Sequence, residues 1–273
     1  MSTLHTPQQN RSLAFTPNPS ASHDPTSLFN AIGSGALASL HTLIIRRPYR
    51  AENAPAVVIG DAKLLPNSLP PRKLEIDANM SAGLVGAIFA AAGPGLPDMG
   101  ILYGGTVKAA MRLLEENDYA WAPTLRSLKL GWKREYWDYS AQPLDPDLHA
   151  LDALARLPAL KSLALDPGEP DELVVRLLAV AEGGGLQSLD TLEIDKYGWH
   201  PSEGGVLLLL LWLKREAKKA LRGEGEGALW DVRGLLRRDM NPSLKQITET
   251  HLAQLKEART QIRKARAVGA VVV

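Results

Sequence analysis

A six-residue pattern with apolar residues at its first, fourth and sixth positions recurs along this chain. It reads "LRSLKL" at 125–130, "LKSLAL" at 160–165, "LDTLEI" at 189–194 and "LHTLII" at 40–45, and "PRKLEI" at 71–76 keeps the last two positions. Polar residues flank positions four and six, which is the alternation of a strand that buries one face. The five matches therefore predict strands that share the same inward face.

Helical patterns lie between these predicted strands. "DPDLHALDALARLP" repeats leucine every three residues from Leu148 and ends at Pro158. "EPDELVVRLLAVAEGGG" begins with Pro170 and Asp171 and ends in glycines, as helices often do. "MGILYGG", around residues 101 and 102, is a degenerate candidate for a further strand. The strand matches from Leu125 onward begin 35 and then 29 residues apart, which predicts an α/β fold of repeated strand–helix units.

The recurring pattern resembles that of leucine-rich repeat proteins, in particular the long, irregular repeats of ribonuclease-inhibitor-like and F-box-associated proteins. The resemblance covers roughly residues 28–221 and implies a short solenoid of β-α units, in which each unit buries its inward face against its neighbours. Residues 1–27 are rich in Ser, Thr, Pro and Asn, lack a signal-peptide pattern and are expected to be a disordered tail. Residues 228–273 are expected to form a basic helical cap.

The apolar run "VLLLLLWL" at 206–213 precedes a basic stretch. Eight residues cover roughly 12 Å of helix, whereas a bilayer core of about 30 Å requires about 20 residues, so we expect no transmembrane segment here. The run falls where the helix after the strand at 189–194 belongs. A helix that is apolar all round is one covered on both sides. We therefore expect residues 206–213 to be the most buried helix, enclosed by the sheet and the C-terminal segment.

The composition excludes several kinds of chemistry. The chain has no cysteine, which excludes disulfides, thiol catalysis and cysteine-ligated metals. Its six histidines are scattered without metal-ligand spacing, and "AIGSGALASL" and "GPGLPDMG" lack the strand and third glycine of a dinucleotide-binding loop. We therefore expect no metal, no cofactor and no catalytic residue.

Aromatic side chains follow two of the predicted strands, in "GWKREYWDY" and "KYGWH". If the strands are stacked in order, both clusters leave the same edge of the sheet. Tyr, Trp and Arg are enriched in interface hot spots, although loop aromatics also pack beneath a solenoid edge as part of its core. The candidate partner-binding residues are these aromatics and two strand-face charges: Trp132, Tyr136, Trp137, Tyr139, Tyr197, Trp199, Lys129 and Glu193.

The C-terminal part is basic: residues 213–273 contain 14 Lys and Arg against 7 Asp and Glu. Asn241 and Pro242 form a good helix start, and the helix is predicted to continue to about Ala267. It carries six cations that a nucleic acid or an acidic partner could contact, although a solvated capping helix explains them too. These are Lys245, Lys256, Arg259, Arg263, Lys264 and Arg266.

The sequence thus favours a noncatalytic protein-interaction domain in the cytoplasm or nucleus. The resemblance to F-box-associated repeats implies substrate recognition in ubiquitin ligation, although the N-terminal part contains no recognisable F-box. The alternative is an α/β enzyme. In that case "APAVVIGDA" contributes a strand of the parallel sheet, and Asp61, Asp166 and Asp195 lie at the carboxyl edge where such folds place their sites.

Overall fold

The computed structural model describes residues 12–15, 41–46, 72–78, 80–133, 148–166, 171–194, 202–224, 229–236 and 240–267. These residues form one sheet of parallel strands, in which every neighbour in the sheet is also the next strand in the chain. The strands are β1 Ser12–Phe15, β2 Thr42–Arg46, β3 Lys73–Asp77, β4 Asp98–Tyr103, β5 Ser127–Lys133, β6 Ser162–Asp166, β7 Thr191–Ile194 and β8 Asp231–Arg233. The predicted α/β class with a parallel sheet is confirmed.

Helices connect the strands and follow them along the chain. The α-helices are α1 Ala82–Ala91, α2 Gly104–Glu116, α3 Asp171–Glu182, α4 Glu203–Leu221 and α5 Pro242–Ala267, and two 3-10 helices cover Ala122–Thr124 and Leu148–Arg156. A parallel strand pair is almost always joined by a right-handed crossover. The strand order never reverses. If every crossover is right-handed, the connecting helices therefore all lie on the same face of the sheet.

Alternate strand residues form buried rows that run across the sheet. One row is Leu43, Leu74, Met99, Leu128, Leu163, Leu192 and Val232, and the other is Ile45, Ile76, Ile101, Leu130, Leu165 and Ile194. The fourth and sixth residues of the sequence pattern supply these rows, and they join the apolar side chains of the helices in one core. The predicted inward face is therefore confirmed at every strand with a match.

One hydrogen-bonding arrangement recurs where the strands begin. The carbonyl oxygen of the residue before a strand accepts from two successive backbone N–H groups at the start of the next strand, at N···O distances of 2.8–2.9 Å. The accepting residues are His41, Pro97, Arg126 and Lys161. The units therefore share a backbone geometry as well as a leucine pattern.

Two glycines permit close backbone contacts at the strands. A β-carbon on Gly131 would lie 3.1 Å from Cα of Leu102, next to an irregularity in the pairing of β4 with β5. Gly234 follows β8 with a φ of +84°, and a β-carbon there would lie 1.8 Å from the carbonyl oxygen of Ile194. Only glycine fits at position 234.

The structure differs from the sequence predictions in several places. The expected tail over residues 1–27 contains β1, whose backbone pairs with β2, and the expected helical segment 228–273 also contains β8. The helix predicted from its leucines is a 3-10 helix over Leu148–Arg156. A leucine every three residues matches the three residues per turn of a 3-10 helix, which keeps Leu151, Leu154 and Leu157 buried on one side.

The C-terminal helix α5 has the predicted bounds and packs against α4. The side chain of Asn241 accepts a hydrogen bond from the N–H of Ser243 at 2.9 Å, which caps the helix start. Leu255 and Ile262 of this helix are buried.

The expectation that residues 206–213 are covered all round is wrong. Leu208 and Leu211 are 41% and 60% exposed. The helix α4 packs between α3 and α5, and its buried residues join the same core as the strands, so its outward stripe has no cover among the described residues. No helix in the described part of the chain is both long and apolar enough to cross a membrane.

Candidate interaction surface

The face of the sheet opposite the buried rows presents two rows in register, of which the first is polar throughout and the second mixes charged with small and apolar residues. The first row consists of Thr42, Lys73, Asp98, Ser127, Ser162, Thr191 and Asp231, and the second of Ile44, Glu75, Gly100, Lys129, Ala164, Glu193 and Arg233. We call these residues the open sheet face. Strands lie about 4.8 Å apart, so the rows from β2 to β8 are roughly 29 Å long.

Two predicted site residues, Lys129 and Glu193, lie in the same row of this face with Ala164 between them. Both side chains are exposed. Two strand spacings separate them, or about 10 Å. The sequence prediction that they share one surface is thus consistent with the strand register.

The second row alternates in charge along its length. Glu75, Lys129, Glu193 and Arg233 have opposite signs in turn, and the small residue Gly100 or Ala164 lies between the first three. Such a surface offers separate positive and negative contacts to a partner.

Ion pairs hold some charges at both ends of the open sheet face. At β3, Lys73 Nζ lies 4.0 Å from Glu75 Oε2 and 3.8 Å from Asp98 Oδ2. At β8, Asp231 accepts from Arg233 at 3.0 Å and from Arg259 of α5 at 2.6 Å. Partial burial opposes ionisation of Asp231, but the hydrogen bonds from these two arginines outweigh it and hold the pKa of Asp231 below its usual value.

Most of the predicted aromatic edge lies outside the described residues. Trp132 lies in β5, but only its backbone is described. Tyr136, Trp137, Tyr139, Tyr197 and Trp199 lie outside the described residues. Their role in partner binding stays a prediction.

The alternative prediction of an enzyme site rests on three acids, of which the structure describes only Asp166. Asp166 ends β6 and pairs with Gly131 of β5. Asp61 and Asp195 lie outside the described residues. In doubly wound sheets, ligands bind at the crevice where the strand order reverses. The described strands contain no such reversal. Within the described ranges, no group of three or more His, Asp or Glu side chains is arranged to hold a metal ion.

Two of the six cations that the sequence analysis named on the basic helix α5 form ion pairs at the edge of the sheet. Arg259 pairs with Asp231, and Arg263 Nη2 lies 3.8 Å from Asp190 Oδ1 just before β7. Both acids belong to the strand-start edge, so these pairs help to hold α5 against the end of the fold. Binding of a nucleic acid or acidic partner through the remaining cations stays a prediction.

A second surface, which we call the α3/α4 groove, was not anticipated from the sequence. It has a volume of about 430 Å³, and its apolar lining consists of Val175, Leu178, Ala179, Leu208, Leu211 and Trp212. Glu182 and Arg215 form an ion pair at its end. The signal in the sequence was the spacing of Leu208, Leu211, Arg215, Lys218 and Arg222, which puts two leucines and three cations on one helical stripe.

A wider cleft of about 730 Å³ continues from the same ion pair. Trp212 donates to Glu182 Oε1 at 3.0 Å and packs on Trp230, with ring centroids 5.0 Å apart. The hydrogen bonds from Arg215 and Trp212 lower the pKa of Glu182, so this carboxylate remains charged. The groove thus changes from apolar to charged along its length.

These surfaces define an α/β protein with a parallel sheet whose strands follow chain order, helices packed on the buried side and a polar open face. Comparison with models of known protein families gives no match, and comparison with characterised protein sequences gives none either.

Proposed function

We propose that this chain is a noncatalytic protein-interaction domain, built as a short leucine-rich-repeat-like solenoid of β-α units with a C-terminal helical cap. Its open sheet face recognises a protein partner. The observation that carries the proposal is the charged, in-register second row on the side of the sheet opposite the buried rows.

The solenoid part of the proposal is supported by the equivalence of the units. Each strand pairs only with its neighbours in the chain, and the same carbonyl arrangement recurs at successive strand starts. In a solenoid each unit buries its inward face against the next, which explains why the leucines of different units align in rows. The C-terminal helix α5 packs against α4 and covers the end of the core.

The size and chemistry of the open sheet face support a protein partner. Seven strands spaced by about 4.8 Å, with an average length of about 17 Å, give a surface of roughly 500–600 Å². A standard protein interface uses about 800 Å² on each partner. The open sheet face therefore supplies most of such an interface, and the aromatic segments after β5 and β7 supply its predicted extension.

The F-box-associated repeats suggest a more specific role. A leucine-rich-repeat domain in that class recognises the substrate of a ubiquitin ligase, and such a role places the protein in the cytoplasm or nucleus. This extension is supported only by the resemblance of the repeat pattern.

Charge reversals on the two faces test the proposal. Lys129→Glu with Glu193→Lys changes the open sheet face while keeping net charge constant. Lys108→Glu with Glu115→Lys makes the same exchange on α2, where both side chains are exposed. Proteins captured from cell extract by each variant are quantified by mass spectrometry against the original chain.

We expect at least one captured protein to be lost about tenfold or more with the sheet-face variant and retained with the α2 variant, since charged contacts across an interface set partner choice. Circular dichroism confirms that both variants fold. Identical captures by both folded variants contradict recognition through the open sheet face.

A further inference from the structure

The α3/α4 groove lies on the helical side of the molecule, away from the open sheet face, and it combines exposed apolar side chains with an ordered charge gradient. Val175 is 54% exposed, and it faces the same groove as the exposed Leu208 and Leu211. Three of the five large apolar side chains exposed within the described residues thus belong to one groove. Clustering of this kind marks binding surfaces rather than ordinary scattered surface leucines.

The stripe along α4 has the dimensions of a helix-binding groove. From Leu208 to Arg222, the C-cap, there are fourteen residue steps, which at about 1.5 Å each span roughly 21 Å, or four helical turns. Its residues follow alternating steps of three and four, the spacing by which one helix presents a continuous stripe to another. The neighbouring helix α3 forms the second wall through Val175, Ala179 and Glu182.

The charges identify the complementary partner. The apolar half of the stripe is followed by Arg215, Lys218 and Arg222, all exposed. Arg215 pairs with Glu182, and Arg222 lies 3.8 Å from the exposed Glu224, whereas Lys218 makes no ion pair within the described residues. A helix with apolar residues in one half and carboxylates in the other matches this order. From this gradient we infer that the α3/α4 groove binds an amphipathic, acidic helix of a partner protein, at a site separate from the one in our proposed function.

A second copy of this chain does not match the groove equally well. If the α4 stripes of two copies lie side by side in parallel, Arg215, Lys218 and Arg222 of one copy face the same cations of the other. In antiparallel order, Leu208 and Leu211 face those cations instead. A membrane surface is also a poorer match, because a flat bilayer does not fill a space between two helices as a single helix can.

Two designed peptides of about 18 residues test this inference. Each carries leucines at spacings of three and four in one half and glutamates on the same stripe in the other half, with the acidic half at the N-terminus in one peptide and at the C-terminus in the other. A third peptide has lysine in place of every glutamate. Fluorescence anisotropy measures binding of each labelled peptide to the full chain.

We expect one acidic peptide to bind, and Leu211→Glu and Lys218→Glu each to weaken binding by about tenfold or more, as at interface hot spots. The control Ile247→Glu alters another exposed apolar residue, 43% exposed on α5, and should change affinity less than about twofold. Leu211 lines the groove and Lys218 lies beyond it on the same exposed stripe of α4, so both variants should fold, and circular dichroism verifies this.

Several results would overturn the inference. These are no binding of either acidic peptide, equal binding of the lysine peptide, or equal losses from the groove variants and Ile247→Glu. Light scattering that shows a dimer of the original chain dissociated by Leu211→Glu would assign the groove to a second copy. Binding to phosphatidylserine vesicles that Leu211→Glu abolishes, without peptide binding, would assign it to a lipid surface.

Discussion

The strongest structural prediction concerns Leu163, in the middle of the buried row on β6. It is 0% exposed and lies between Leu128 and Leu192 in register. Leu163→Ala removes three carbon groups, which is about 2.4 kcal/mol at about 0.8 kcal/mol each. The cavity left in a close-packed core raises the loss of unfolding free energy to about 3–4 kcal/mol.

Urea unfolding followed by circular dichroism measures this loss, with Glu193→Ala as the matched control on the open sheet face. Glu193 is exposed on the neighbouring strand, so its truncation should change the unfolding free energy by less than about 0.5 kcal/mol. In a thermal melt, Leu163→Ala should lower Tm by roughly 6–15 °C. A loss below about 1 kcal/mol for Leu163→Ala, or equal losses for the two variants, would refute our assignment of the two faces.

Three further predictions follow from individual contacts. Gly234→Ala should lower the unfolding free energy measured in urea by more than about 2 kcal/mol, because residue 234 has a positive φ and lies against the carbonyl of Ile194 in β7. The control Gly83→Ala, with open space around it in α1, should raise the unfolding free energy by about 0.5–1 kcal/mol. The reverse order of these two effects would contradict the turn geometry at Gly234. Burial lowers the pKa of His251 below 6.5, so the unfolded chain binds a proton first as the pH falls. Stability should therefore decrease below about pH 6.5, and a His251→Gln variant with the same pH dependence would contradict this reasoning. Asp231→Asn removes the ion pair with Arg259 and should speed backbone amide exchange in α5 while leaving α3 unchanged, and unchanged exchange in α5 would show that the pair does not hold the helix.

The sequence predicted the strands because each carries the same physical pattern. Leu128 and Leu130, for example, alternate with exposed Lys129, and this period of two is specific to strands. The start and end of α3 and α5 were also predictable, because Asp171, the glycines after Glu182 and the pair Asn241–Pro242 are local signals.

Features that depend on distant parts of the chain were not predictable. The strand β1 has four residues and forms by pairing with β2, for which "SLAF" alone provides no signal. The exposure of Leu208 and Leu211 depends on where α3 and α5 lie around α4. Periodicity showed that the run was apolar, but it could not show which of its sides would be covered.

The site could be predicted only in part for the same reason. Lys129 and Glu193 were predicted because strand alternation puts both outward, and the register then places them in one row. The pairing of Trp212 with Glu182 and of Arg259 with Asp231 joins residues about 30 positions apart. No local pattern identifies such partners.

The most direct test of partner recognition through the open sheet face is site-specific photo-crosslinking in cells. A benzoylphenylalanine residue replaces Ala164, between Lys129 and Glu193, and in a second version it replaces the exposed Arg112 on α2. We predict a discrete crosslinked protein adduct from position 164 and none of that size from position 112. An adduct from position 112 with none from position 164 would contradict the account.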